Sequence, residues 1–145
     1  MKTKVAITII GLILLVVFFF VQTNRKSIDI DKTNHVLTAC ETRSRCFTLP
    51  ITTGSKESPT KNGHFKVLNK IENVQSYHGY VFPLWLGAYE VGAYENGIHS
   101  VQGDNPWTDD IGKDNTTAGS IILSVEDMQR LYDFAEVGTL IYIHN

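Results

Sequence analysis

Residues Val5 to Val21 carry no charge: VAITIIGLILLVVFFFV. As a helix these seventeen residues span about 26 Å, close to the ~30 Å hydrocarbon core of a bilayer. A cleavable signal peptide has an apolar region of roughly 7–15 residues and a small-x-small cleavage site. Here the run ends in Phe18-Phe19-Phe20-Val21-Gln22-Thr23, and no Ala-x-Ala pattern follows. A helix apolar on every face suits lipid better than a globular core. The expectation is an uncleaved single-pass anchor over residues 1–23. Lys2 and Lys4 flank one end, Arg25 and Lys26 the other. The positive-inside count is nearly tied, and the free amino group tips the N-terminus inward.

Removing the anchor leaves about 122 residues, the size of one domain with its own core. A short linker and first strand are expected over 24–33, and the domain proper over 34–145. Outside Lys2 and Lys4 the chain carries 11 basic against 15 acidic residues. No basic face is visible, which argues against nucleic acid as a partner. Cys40 and Cys46 are the only cysteines. Their spacing reads as two strands joined by a tight turn, with the thiols facing each other. A disulfide there implies the oxidising, extracytoplasmic side of the membrane; the alternative is a pair of reduced, half-buried thiols. Metal binding is not expected, because no second Cys/His pair sits at ligand spacing. Asp109, Asp110 and Asp114 lack the glycine and terminal glutamate of a calcium loop and read as a solvated acidic loop.

The rest reads as mostly β, of the α+β class. Asn34–Cys40 and Cys46–Thr52 form a hairpin, with Pro50 at an edge or strand end. Gly54–Gly63 is a loop and His64–Asn69 a strand. Val81–Tyr94, broken at Pro83, Gly87 and Gly92, suggests two short strands with a bend. Asp104–Thr117 is a polar loop. One helix is clear: Ser124 caps it and Asp127 adds a carboxylate to its first turn. Val125, Met128, Leu131, Tyr132 and Ala135 form its apolar stripe, and Gly138 ends it. Thr139–Ile143 closes the chain as a buried strand. His35, His64, His78 and His144 read as surface, strand or terminal residues.

Two islands carry potential chemistry. One is Gly97-Ile98-His99-Ser100. The other is Asn115-Thr116-Thr117-Ala118-Gly119-Ser120-Ile121-Ile122-Leu123, just before the helix. A serine hydroxyl hardly ionises near neutral pH and needs a general base within hydrogen-bond reach. His99 is the candidate base. A glycine before the serine frees backbone amides, near Gly119 and Ser120, to face a developing oxyanion. The plainer alternative is a Gly-Ser turn and a satisfied strand histidine.

The order of these features resembles the L,D-transpeptidase catalytic-domain family of bacterial cell-wall enzymes, over most of residues 27–145. The resemblance rests on Ile51-Thr52-Thr53-Gly54, on Pro59-Thr60-Lys61-Asn62-Gly63-His64-Phe65, on Pro83-Leu84-Trp85 and on Ile98-His99-Ser100. The family signature Ser-His-Gly-Cys-x-Arg, followed by a helix and Gly-Thr-x-Val, is met here by Thr117-Ala118-Gly119-Ser120-Ile121-Ile122 and Gly138-Thr139-Leu140-Ile141. The resemblance implies an L,D-transpeptidase-like β-sandwich with one helix near the C-terminus. In the family the cysteine takes an acyl group from a donor stem peptide as a thioester and passes it to an amine.

This chain departs where the chemistry lies. Ser120 replaces the cysteine, Ala118 the motif histidine and Ile122 the arginine. A thiol near pKa 8.5 ionises readily beside an imidazolium. A serine must lose its proton as it attacks, so His99 would act as base throughout. Its acyl-enzyme would be an ester, less reactive toward amines than a thioester. The expectation is therefore an acyl transferase on peptidoglycan stem peptides, with Ser120, His99 and Gly119 as catalytic residues. The alternative keeps the fold and binds wall peptide without turnover. Thr117, Trp85 and Trp107 are the substrate-binding candidates, although Trp85, with Tyr89 and Tyr94, could equally be a core aromatic on a bent strand. No metal or organic cofactor is implied.

Overall fold

The computed structural model describes residues 9–16, 25–42, 44–75, 79–101, 111–112 and 117–145. Residues 9–16 are helical (α1). Nine strands follow: β1 Ser27–Asp31, β2 Val36–Thr42, β3 Arg45–Pro50, β4 Gly63–Lys66, β5 Lys70–Gln75, β6 Val81–Val91, β7 Tyr94–His99, β8 Ile121–Ile122 and β9 Leu140–His144. Helix α2, Val125–Phe134, lies between β8 and β9. The result is a mostly β, α+β domain.

The strands make two sheets. Sheet A runs β3-β2-β1-β9-β4 and sheet B runs β5-β6-β7-β8. β1 lies at the centre of sheet A, antiparallel to β2 and parallel to β9. The strand expected in the linker is thus part of the domain's central layer. Period-2 alternation decides the inner face of sheet A. Ile28, Ile30, Leu37, Ala39, Leu49, Ile141 and Ile143 are all buried within one core cluster. Leu86, Tyr89, Ile98, Ile121 and Leu123 join that cluster from sheet B and its flank, and Met128, Leu131 and Ala135 from α2.

The hairpin forms as β2–β3 with Cys40 opposite Cys46, and the two sulfurs are bonded at 2.06 Å. Ser124 caps α2: its Oγ accepts from the Asp127 N–H at 3.1 Å and donates to the Asp127 carboxylate at 2.8 Å. The last turn of α2 holds no basic residue. Two lysines from elsewhere supply that charge. Lys70 Nζ donates to the Tyr132 and Ala135 carbonyls at 2.6 Å each, and Lys26 Nζ to the Phe134 carbonyl at 2.8 Å. Cations there satisfy orphan carbonyls and oppose the helix dipole.

Several expectations need correction. The aromatic stretch is one eleven-residue strand, not two short ones. Pro83 is tolerated because β7 pairing starts only at Trp85, while on the other side the register steps from Leu84↔Glu72 to Phe82↔Val74. Opposite Pro83, Asn73 has φ +56°, so no ladder bond is demanded of the missing N–H. Strand β5 was not foreseen, since Glu72 and Asn73 interrupt its alternation. Val125 is 51% exposed, so the stripe of α2 begins at Met128. The helix ends at Phe134, before Gly138. β9 alternates rather than being wholly buried, with only Ile141 and Ile143 inside. Among the described residues no helix is long and apolar enough to cross a membrane. The flanks of the N-terminal run, 1–8 and 17–24, lie outside the described residues, as do Trp107, Asp109, Asp110, Asp114 and His78.

Candidate functional site

The Thr117–Ser120 turn is built by three neighbours. Thr117 and Thr53 pair (Thr117 N–H to Thr53 O, 3.0 Å), and the Ser55 N–H reaches the Thr117 carbonyl at 2.9 Å. Ile122 and Thr52 exchange both backbone bonds at 3.0 Å, tying β8 to the segment after β3. From behind, the Gly119 carbonyl accepts from the Tyr89 hydroxyl at 2.8 Å and from Thr60 Oγ1 at 2.9 Å. Thr60 Oγ1 in turn accepts the Gly54 N–H at 2.8 Å, and Tyr89 Oη the Lys61 N–H at 3.1 Å. Burial raises the Tyr89 phenol above its ordinary value, so it stays a neutral donor. Gly119 has φ +104°, and a Cβ there would come within 2.7 Å of Asn96 Nδ2. Only glycine fits this position.

Thr117 Oγ1 spans the turn. It donates to the Ser120 carbonyl and accepts the Gly119 N–H at 3.2 Å. One of the two amides expected at an oxyanion site is therefore already bonded. Ser120 is half-buried, and its hydroxyl donates to Asn96 Oδ1 at 3.3 Å.

His99 ends β7, opposite Trp85 on one side and Ile122 on the other. It is 3% exposed. Its ring stacks on Phe82 at 4.0 Å and lies 5.3 Å from the Trp85 indole. Phe82, Trp85, Val101 and Ile122 form a second, smaller core around it. Nδ1 lies 3.2 Å from the Ser100 carbonyl. A carbonyl only accepts, so Nδ1 carries the proton and Nε2 keeps its lone pair. Burial pushes the imidazole down to about 4, opposed by the bond to Ser100. At neutral pH the ring is uncharged.

Ser120, Gly119 and Thr117 thus share one turn, beside the β7–β8 seam that holds His99. Among the described residues no hydrogen bond joins the Ser120 hydroxyl to His99. Asn96 lies opposite Tyr89, a residue of the main core, and His99 opposite Trp85, a residue of the second core, so their side chains leave opposite faces. The hydroxyl is engaged on the face away from the imidazole. Trp85 is buried at 7% exposure, and its Nε1 donates to Glu95 Oε1 at 2.8 Å. Asn69 Nδ2 holds the same carboxylate at 2.9 and 3.1 Å. Thr60 and Asn96, which shape the turn, were missed as site residues, and Tyr89, read as either a groove or a core aromatic, is buried in the main core and reaches the turn through its hydroxyl. Thr60 and Tyr89 hold the turn by hydroxyls on the Gly119 carbonyl and Asn96 by its amide oxygen on the Ser120 hydroxyl, long-range contacts that no local pattern encodes; only Gly119 hinted at a special conformation.

The profile of the L,D-transpeptidase catalytic domain (YkuD) matches residues 25–143. No curated protein sequence matches the chain. Among solved structures, an L,D-transpeptidase from Mycobacterium smegmatis superposes with a TM-score of 0.69 at 22% identity, covering 83% of this chain and 59% of that one. One from Mycobacterium tuberculosis H37Rv gives 0.69 at 22%, covering 83% and 57%. A cysteine-to-serine mutant of an Enterococcus faecium L,D-transpeptidase gives 0.67 at 23%, covering 83% and 50%. The chain therefore spans between half and three-fifths of the length of these structures. With the family profile covering nearly all of the two-sheet domain, the chain belongs to the L,D-transpeptidase catalytic-domain family.

Proposed function

We propose that this domain engages peptidoglycan stem peptides at the Gly119–Ser120 turn as a binding module without acyl transfer. The observation that carries this reading is the commitment of the Ser120 hydroxyl to Asn96, on the face of β7 opposite His99. Three further features support it. Phe82 and Trp85 enclose the imidazole, and its lowered basicity suits it poorly to take a serine proton. The Gly119 N–H is occupied by Thr117. Ala118 and Ile122 stand where the signature carries a histidine and an arginine.

The test pairs binding with acylation. The chain should bind soluble muropeptides, Ser120→Ala should keep that affinity within a few-fold, and an intact-mass assay with a serine-directed acylating probe should show no adduct. An adduct on Ser120 that disappears in His99→Ala would overturn the reading.

A second reading is favoured by one observation. The neutral Nδ1–H tautomer of His99 is the form that a general base requires. In that reading Ser120 attacks the donor peptide carbonyl, Nε2 takes its proton and passes it to the departing amine as the peptide bond breaks, and an acceptor amine then takes the acyl group from the ester and frees the Ser120 hydroxyl. A Ser120→Cys variant that becomes acylated by a carbapenem would favour it.

The location proposed is a single-pass anchor over residues 1–23 with the domain on the extracytoplasmic side. The uncharged Val5–Val21 run and the bonded Cys40–Cys46 pair support it.

A further inference from the structure

Very little chain separates the apolar run from the domain. Val21 to Lys26 is five residues, about 17 Å at full extension. Lys26 is fixed to the domain: its Nζ donates to the Phe134 carbonyl at 2.8 Å and to the Glu136 carboxylate at 2.6 Å. Beside it lies a shallow open depression of about 420 Å³, lined by Arg25, Lys26, Lys66, Glu136, Val137 and Leu140 among others. Three strand ends meet here. Leu140, at the start of β9, pairs with Ser27, where β1 begins, and with Lys66, where β4 stops.

The charge and apolarity of this edge are specific. Lys26 is paired with Glu136, whereas Arg25 and Lys66 have no ion-pair partner among the described residues. Two cations are left uncompensated. Between them Val137 is 65% exposed at the tip of a turn, and Leu140 is 37% exposed. An apolar tip ringed by cations is the pattern of an interfacial contact: the valine enters the headgroup layer and the cations meet lipid phosphates.

We propose that this edge of sheet A rests on the anionic phospholipid headgroups of the membrane that holds the N-terminal run. The proposal rests on the anchor reading above. Its consequence is orientation. Helix α2 ends beside Lys26 and begins just after Ser120, and its ten residues rise about 15 Å. The Ser120 turn is thereby held away from the bilayer and toward the wall.

The test uses the full chain in nanodiscs of phosphatidylcholine, alone or mixed with phosphatidylglycerol. Amide exchange across residues 134–142 is followed by mass spectrometry. Anionic lipid should slow that exchange about threefold or more, and Arg25→Gln with Lys66→Gln should erase the difference while β2 exchanges as before. Equal exchange in both lipids, with the chain retained in the discs, overturns the headgroup contact and leaves the anchor standing. Slowing that persists in the double variant also overturns it. A chain that alkaline carbonate strips from vesicles overturns the anchor and the contact together.

Discussion

The two sheets spend their outer faces differently. In sheet A the outward positions of β1 and β9 are Ser27, Asp29, Asp31, Leu140, Tyr142 and His144, exposed or half-buried residues on a solvated face. In sheet B, Phe82, Trp85 and Ile122 pack around His99 as a second core. The fold needs sheet A, α2 and the inner face of sheet B. The outer face of sheet B is apolar packing beside His99, with Ile122 paired to it. Histidines report the difference. At His144 the Asn145 carbonyl, then Asp29, hold the imidazole above its ordinary value; at His99 burial drives it below.

This contrast can be broken by measurement. The largest effect belongs to the shared core. Leu131→Ala, fully buried in the main core, should cost about 2–5 kcal/mol in denaturant melts; a cost like that of a surface change would mean that α2 does not pack as described.

Next comes pH. Unfolded, His99 takes a proton near its ordinary 6.5; folded, only near 4. Between those values the unfolded chain holds more protons, so stability rises with pH and is lost as pH falls toward 4. The span is about 3 kcal/mol at most. His99→Gln should flatten this slope, and an unchanged slope would show that His99 is not the buried group.

Reducing the Cys40–Cys46 bond, which closes a six-residue separation, should cost about 2 kcal/mol. Reductant that neither lowers the melt nor adds two hydrogens to the mass would refute the bond. Smallest of all, Ser120→Ala should change stability by no more than about 0.5 kcal/mol. A larger loss would make the hydroxyl part of what holds the fold.

Much of sheet A was legible because alternation is local. Ile28, Ile30, Leu37, Ala39, Ile141 and Ile143 sit at period-2 spacing, and the Cys40/Cys46 hairpin follows from it. The helix was legible through Ser124, Asp127 and the Met128–Leu131–Ala135 stripe. Sheet B was harder to read. β5 hides behind Asn73 and its positive φ, and β6 keeps going past Pro83 because its neighbours leave that position unpaired. The site was legible as residue types, but not as partners. That Ser120 would turn to Asn96, and that Thr60 and Tyr89 would both grip one carbonyl, depends on contacts 24 to 59 residues apart.

The central position of β1 has a mechanical consequence. A force applied at residue 25 would act along the axis of a strand bonded on both sides, to β2 and to β9. Such a load shears two ladders at once instead of peeling one edge bond by bond. A pull on that end of the chain would therefore be resisted more strongly than the same pull on an edge strand.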